Sequence, residues 1–391
     1  MRMVERLPLH TTPLRQDDCS LKTYPQEGQE RWNGVKNRDS RNVRLMLIVD
    51  GSYGEGGGQI LRTTLSLAAI LQCPVRIEHI RARRSQPGLR PQHLTAVRAM
   101  AAICGASLEG DQVGSHTLIF RPGHAPRPGR YVFDVSQVAG AGSAGSVTLV
   151  FQTVLLPLAL ADGPSHLVLR GGTHVEWSPP FHYLVHVYLP ALARMGVYTE
   201  VQLTRWGWYP QGGGEMIAEV PGRTQLQPQE FLQRGPLRRL WGLSATSNLP
   251  AHIRQRQAER ANTRLREAGI LAEIQQVEAP SAGPGTCVFL CAEHEHITAG
   301  FTAYGRRGLP AERVADMAVE ELLDYRVGQG ATDPHLADQL VLPFALAGGA
   351  LTTVRVTSHL LTNVWVAEQF LGRRFILEGV EGREGLLRCS N

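Results

Sequence analysis

Lysine is nearly missing from this chain. Of its 391 residues, 40 are lysine or arginine, yet only Lys22 and Lys36 are lysines. A GC-rich coding sequence is a sufficient cause, but the consequence is chemical. A P-loop needs a lysine after its glycines, and a lysine nucleophile or Schiff base needs one inside the fold. Both are excluded for everything after residue 36. Phosphate bound there has to be held by arginine, backbone N–H groups or a metal ion.

Long apolar runs are also missing. The longest, 147–161, is interrupted by Gln152, Thr153 and Pro157 and is too short to cross a bilayer. The first residues, MRMVERLPLHTTPLRQDD, hold no apolar core of a secretory signal. Six cysteines are scattered and form no disulfide framework. These shortages point to a cytoplasmic protein that does not enter a membrane. What remains is an ordinary globular mix, 43% apolar and 19% charged, which excludes a mostly disordered chain. The length suits two or three domains, or one large domain with an insertion.

Residues 1–43 are polar and without period, and read as a disordered extension. The fold begins with a short apolar run, 45–49, expected to be a buried strand. A glycine-rich segment, 54–59, then leads into a helix with Ile60, Leu61, Leu65, Ala68 and Ala69 on one face. Strands are expected at 75–80, 117–120, 131–134 and 166–169, and helices at 60–71, 93–104, 146–161 and 181–195. Glu55-Gly-Gly-Gly-Gln59 is echoed by Gln211-Gly-Gly-Gly-Glu215. Alternating strands and helices with repeated glycine punctuation suggest duplicated α/β modules. The polar stretch 222–235 reads as a linker. The block 233–329 carries its own pattern of strands (238–246, 271–276, 286–291) and helices (251–268, 310–325), a split β-α-β arrangement set into the larger domain of 44–232 and 330–391.

Several segments carry chemistry, each with a plainer reading beside it. The glycines of 54–58 suit a backbone that approaches an anion at a helix N-terminus, and Glu55 suits a divalent cation; a tight turn is the alternative. Residues 80–93 place Arg81, Arg83, Arg84 and Arg90 ahead of the helix expected at 93–104. With Arg62 they would make a phosphate floor, or else a solvated basic loop. No aromatic side chains interleave there, so a terminal phosphate fits better than a long single strand. Ser143-Ala-Gly-Ser146 with Gln152 would line a nucleotide pocket or let helices pack closely. Cys287 and Cys291 alternate with Phe289, as on a buried strand face, rather than with the spacing of a zinc site. His335, ahead of Asp338 and Gln339, and His359, after a strand-like run, stand out among fourteen histidines. Asp338 would also serve as a helix cap.

The order of these segments is more specific than any one of them. DGSYGEGGGQILR (50–62), IRARRSQPGLRPQHL (80–94), SAGS (143–146) with Gln152, GGT (171–173) with SPP (178–180), GWYPQGGGE (207–215), HLADQLVLPFALAGG (335–349) and SHLLTN (358–363) follow one another. Together they resemble the RNA 3′-terminal phosphate cyclase family, from about Asp50 to Gly379.

That resemblance implies an α/β fold: a large domain of three repeated β-α-β-α-type modules with a smaller inserted α/β domain. It implies ATP-dependent conversion of an RNA 3′-phosphate to a 2′,3′-cyclic phosphate, through histidine–AMP and RNA(3′)pp(5′)A intermediates, with release of AMP and diphosphate. The covalent histidine would be His359. Without lysine in the body, a neutral imidazole is also the available nitrogen nucleophile. Gln152, Pro179, His335, Leu336, Ala337, Asp338 and Gln339 would form the ATP pocket. Glu55 would hold the metal, Mg²⁺ or Mn²⁺. Arg62, Arg81, Arg84, Gln92 and His93 would face the RNA phosphate. His335 stands where a tyrosine is common in the family, and Pro334 where an acidic residue is. Two other readings are weighed: a non-catalytic cyclase-like ribosome assembly factor would lack His359, and an enolpyruvyl transferase would require lysines. Oligomeric state is left open.

Overall fold

The structure, a computed structural model, describes residues 46–139 and 144–390. The expected N-terminal extension, both lysines, Leu45 and Ser143 lie outside the described residues. The first module runs β1 (Leu47–Asp50), α1 (Gly58–Leu71), β2 (Val75–Glu78), α2 (Pro91–Cys104), β3 (Ser107–Glu109) and β4 (Leu118–Arg121). The apolar face of α1 sinks Ile60, Leu61, Leu65 and Ala68 into the core. The helix ends where Gln72 turns left-handed (φ 56°), before Pro74 is reached. Pro91 opens α2 at a position where its missing N–H costs nothing.

The second module is β5 (Arg130–Asp134), α3 (Ser136–Ala139), α4 (Val147–Ala159), β6 (Ser165–Gly171), α5 (Phe181–Tyr183), α6 (Leu189–Arg194), β7 (Glu200–Arg205) and β8 (Gly214–Val220). The single helix expected over 181–195 is divided by a π-helical turn, Leu184–Tyr188, in which Leu189 N–H bonds to Leu184 carbonyl. Pro190 has no N–H to continue the α ladder, and the wider turn absorbs the mismatch.

The third module opens with β9 (Gln229–Phe231). It is then interrupted by β10 (Leu237–Ser247), α7 (Ala251–Glu267), β11 (Glu273–Glu278), β12 (Gly285–His294), β13 (Thr298–Tyr304) and α8 (Ala311–Val327). It resumes with α9 (Pro334–Ala347), β14 (Gly349–Thr353), α10 (Ser358–Leu371), β15 (Phe375–Gly379) and β16 (Gly385–Cys389). The stretch expected as a linker thus contains β9, which pairs in parallel with β14 through Gly349 to Leu351.

The sheets reveal the duplication. Their orders are β1-β2-β4-β3, β5-β6-β8-β7 and, read from its other edge, β9-β14-β16-β15. In each, the first two strands are parallel and the remaining pairings are antiparallel. Each module is therefore β-α-β-α-β-β with one strand order. The glycine echo does not mark equivalent places, however. Residues 55–59 join the first strand to the first helix of their module, whereas 211–215 lie between β7 and β8. The counterpart of 55–59 in the second module is the entry into α4.

The fourth sheet, β11-β10-β12-β13, belongs to the interrupting block. Its β10 and β11 are parallel and adjacent, so the β-α-β unit is not split as the sequence suggested. Alternate residues of β12 face opposite cores: Cys287, Phe289 and Cys291 join the main core, while Val288, Leu290 and Ala292 pack under α7 and α8. The period of two explains the alternation of cysteines without any metal. The polar helix α7 is tied to α8 by Arg256 on Glu312 and by Arg260 and Arg264 on Asp316.

Candidate active site

The N-terminal ends of α1, α2, α9 and α10 are joined by side chains. Between β1 and α1, Gly54 and Gly56 adopt φ of 55° and 59°, which glycine takes without strain. This carries Glu55 between two cations. Its Oε2 lies 3.0 Å from Arg84, and its Oε1 lies 2.9 Å from Nε2 of His359 in the first turn of α10. The Oε1 contact is close enough for an ion pair but off the hydrogen-bond line, so this buried oxygen has no hydrogen-bond donor. His359 is only half-buried, its side chain 44% exposed. Its partner Glu55 and its neighbour Ser358 line a cavity of about 510 Å³, together with Tyr53, Gly54, Leu361, Thr362 and Glu381.

Thr357 connects His359 to the helix behind it. As N-cap of α10, its hydroxyl accepts from Leu360 N–H at 3.0 Å and donates to Asp338 Oδ1. Asp338 sits in α9, almost fully buried, and its carbonyl accepts from Asn363 at 2.8 Å. Asn363 in turn accepts from Thr63 of α1 at 2.8 Å. Three helices are thereby locked around one imidazole.

Charge follows this packing. Burial pushes the Asp338 carboxyl up to about 7, against the hydrogen bond from Thr357. Burial alone would lower His359, but Glu55 and Asp338 outweigh it, and the ring is held above its usual range. Burial likewise opposes ionisation of Glu55, yet His359 and Arg84 keep its carboxyl below the ordinary value. Arg62 is pushed down to about 10 by burial, with Glu55 pulling it back.

Two of the RNA-side residues expected from the sequence, Arg62 and His93, meet at Gly58, and Arg84 lies at Gly57. His93 Nδ1 accepts from Arg90 N–H at 3.2 Å, which leaves the proton of the neutral ring on Nε2. Burial, then Arg62, Arg81 and Arg90, hold this ring well below the usual histidine range. A Cβ on Gly58 would lie 2.2 Å from His93 Nε2 and 3.0 Å from Arg62. Gly58→Ala should therefore displace both, costing about 1–3 kcal/mol by overpacking. A thermal melt unchanged from the wild type would contradict this placement.

Gln92 reaches the second module, where its Oε1 accepts from Ser146 N–H at 3.0 Å. Arg81, with a left-handed φ of 53°, spends one nitrogen on the carbonyls of Gln86 (2.6 Å) and Gly88 (3.2 Å) of its own loop. Arg83 clasps the glycine loop by donating to the Gly54 carbonyl at 2.8 Å.

The residues expected around ATP divide into two kinds. Gln152 of α4 donates to Gln339 of α9 at 2.7 Å across 187 positions. The Pro179 carbonyl accepts from Thr148 of α4 at 2.6 Å, and Pro179 is partly exposed. His335 is exposed and meets Tyr183 edge-on. Leu336 and Ala337, by contrast, are fully buried, and the N–H groups of His335 and Leu336 are both taken by Asp333 at 3.0 Å. They pack the helix rather than present side chains to a pocket. Thr357, Asn363, Thr63 and Asp333 were not singled out from the sequence. Thr357 had a readable signal, a threonine just ahead of a helix. A larger apolar groove of about 730 Å³, lined by Val185, Leu189 and Tyr198 among others, holds none of these residues.

Among the described residues, no group of three or more His, Cys, Asp or Glu side chains forms a protein-only cage for a divalent cation. One carboxylate with a buried, donor-free oxygen fits an ion that takes its other ligands from phosphates and water, as Mg²⁺ does.

Comparison with known proteins completes this picture. A profile of the family described as RNA 3′-terminal phosphate cyclase matches residues 53–377. A relative from Gloeothece citriformis bearing that name is 50% identical over 327 residues, 83% of this chain and 93% of the relative. One from Trichormus variabilis is 52% identical over 327 residues, covering 83% and 94%. One from Thermococcus onnurineus is 43% identical over 344 residues, covering 88% and 98%. The chain belongs to the RNA 3′-terminal phosphate cyclase family. Membership in this cyclase family makes it an enzyme, and its three-module α/β architecture is consistent with that assignment. Among the described residues of this cyclase-family chain, no helix is long and apolar enough to cross a membrane.

Proposed function

We propose that the enzyme uses ATP to close an RNA 3′-phosphate into a 2′,3′-cyclic phosphate, with AMP carried on His359. The observation that supports this most is the position of His359. It is a reachable imidazole in the first turn of a helix, between Glu55 and, through Thr357, Asp338. Attack begins with the neutral ring. A ring nitrogen bonds to the α-phosphorus of ATP, and the bond to the bridging oxygen breaks, releasing diphosphate. An oxygen of the RNA 3′-phosphate then bonds to that phosphorus and frees His359, leaving RNA(3′)pp(5′)A. The neighbouring 2′-hydroxyl attacks the RNA phosphorus, loses its proton and expels AMP. This last step is intramolecular and gains rate from proximity.

The surrounding residues have matching roles in this reading. Arg62, Arg84, Gln92 and His93, with the N-terminal turn of α1, face the RNA phosphate; Arg81 braces the loop. Gln152, Gln339, Pro179 and His335 border the ATP base and sugar. A bound Mg²⁺ or Mn²⁺ would neutralise ATP oxygens, and Glu55 is the residue that would hold it. We also read 233–329 as a small domain set into a large one made of 44–232 and 330–391. RNA and ATP as substrates suit a cytoplasmic setting.

Intact mass after incubation with ATP and Mg²⁺ or Mn²⁺ tests the reading. An AMP adduct on His359 that disappears when an oligonucleotide ending in 3′-phosphate is added is the expected result. No adduct with either metal would remove the nucleotidyl mechanism.

A further inference from the structure

Trp177 is the most exposed large apolar residue among those described, at 96%, and its φ is 63°. A bulky side chain in the left-handed region is uncommon and has to be held there by its surroundings. They do hold it. Ser178 Oγ donates to the Val175 carbonyl at 2.9 Å, Phe181 N–H to the Thr173 carbonyl at 3.1 Å, and Thr148 to Pro179 at 2.6 Å. The indole is thus presented to solvent from a braced loop, two residues from Pro179.

The tip of the β10–β13 sheet adjoins that loop. His174 bridges to Trp208, whose indole lies against Gly285 and donates to Ser247 at 2.7 Å. One residue further along β12, Thr286 accepts from Gly305 N–H at 2.9 Å. Arg306 and Arg307 follow, both exposed, and neither guanidinium has a hydrogen-bond or carboxylate partner among the described residues. Nearly every other arginine of the block is paired to an acid or a carbonyl, Arg254, Arg256, Arg260, Arg264 and Arg326 among them. The two features thus lie on segments that meet through Trp208, and an exposed aromatic plane together with unpaired arginines is what single-stranded nucleic acid binds, one part stacking a base and the other holding phosphates.

We propose that Trp177 stacks a base of the RNA strand leading to the 3′-phosphate, while Arg306 and Arg307 hold its backbone. This rests on the cyclase reading above and extends it from the terminal phosphate to the body of the strand. ATP is the other source of a base, and the adduct rate of Trp177→Ala separates the two.

The test uses the full-length enzyme with Trp177→Ala, Trp177→Phe and an Arg306→Ala/Arg307→Ala double variant. Trp177→Ala should form the AMP adduct at the wild-type rate but raise the KM for a 3′-phosphorylated oligonucleotide about tenfold. Trp177→Phe should recover most of that loss. The double variant should flatten the dependence of log KM on log salt by about 1.4, two phosphates on a single strand. An unchanged KM in Trp177→Ala would overturn the proposal. So would a parallel fall in adduct formation, which would assign the indole to ATP. Binding of the same oligonucleotide, followed by quenching of the fluorescence that Trp177→Ala removes, needs no adenylylation. It therefore judges this proposal even if the wild type forms no adduct, the result that would instead count against the parent reading.

Discussion

His359→Ala should form no AMP adduct with ATP and either metal, a loss on the order of a thousandfold or more in adenylylation. The same protein should melt within a degree or two of the wild type. The two expectations come from different parts of the local structure. The imidazole is the reactive atom's only carrier in this position, since no lysine exists after residue 36 to substitute for it. Yet the helix does not depend on it. The first turn of α10 is capped by Thr357, not His359, and the ring is half exposed. Glu55 keeps Arg84 as a partner at 3.0 Å when the ring is removed. Binding of the 3′-phosphorylated oligonucleotide should persist, because Arg62, Arg84 and His93 are untouched. Mass spectrometry of the ATP-treated variant, with a thermal melt on the same sample, separates these outcomes. A normal adduct would place the nucleophile elsewhere, and a collapsed melt would make the loss uninformative about chemistry.

The sequence revealed the parts that rest on short-range order and concealed those that rest on long-range pairing. Helices α1 and α2 were legible from apolar spacing, because each buries one wide face, and α4 as an apolar run, because it is buried nearly all round. Strands β7 and β13 were not. Glu200–Arg205 is a short, mostly exposed edge whose alternation rests on two half-buried residues, Val201 and Leu203, and Thr298–Tyr304 mixes small and large residues. Duplication was inferred from a glycine echo that joins non-equivalent places, whereas the real repeat is a strand order, which no local pattern encodes. At the site, Glu55 and His359 were each legible through their motifs, but not their contact at 2.9 Å. The Gln152–Gln339 bond spans 187 positions, and the Thr357–Asp338 bond joins two helices. Burial of Leu336 and Ala337 follows from the same packing: a motif flags a helix, and only the fold decides which of its faces is turned to the pocket.

Asp338→Asn should stabilise the protein at pH 8 while impairing it as an enzyme. The sign follows from the carboxyl's burial. Its value rises from 3.8 in the unfolded chain to about 7 in the fold. Between these limits the native state holds a proton that the unfolded state has released, so stability falls as pH climbs through the window and levels off above about 7. The full span corresponds to roughly 4 kcal/mol. Asparagine keeps an oxygen for the Thr357 hydroxyl but has no charge to bury, so the variant should gain most of that amount at pH 8. Near pH 4 the gain should vanish. Adenylylation should fall at least tenfold at pH 8, because the lost charge is one of those that favour a positive His359 ring, the charge the ring gains as it bonds to phosphorus. Melts of both proteins across pH 4 to 8, with adduct rates at pH 8, measure the two effects together. Parallel melting curves would show that Asp338 does not titrate in that window. Stabilisation without any loss of rate would make it a packing residue. The pair of changes expected here, more stable and less active, is the signature of a buried charge kept for chemistry at the expense of the fold.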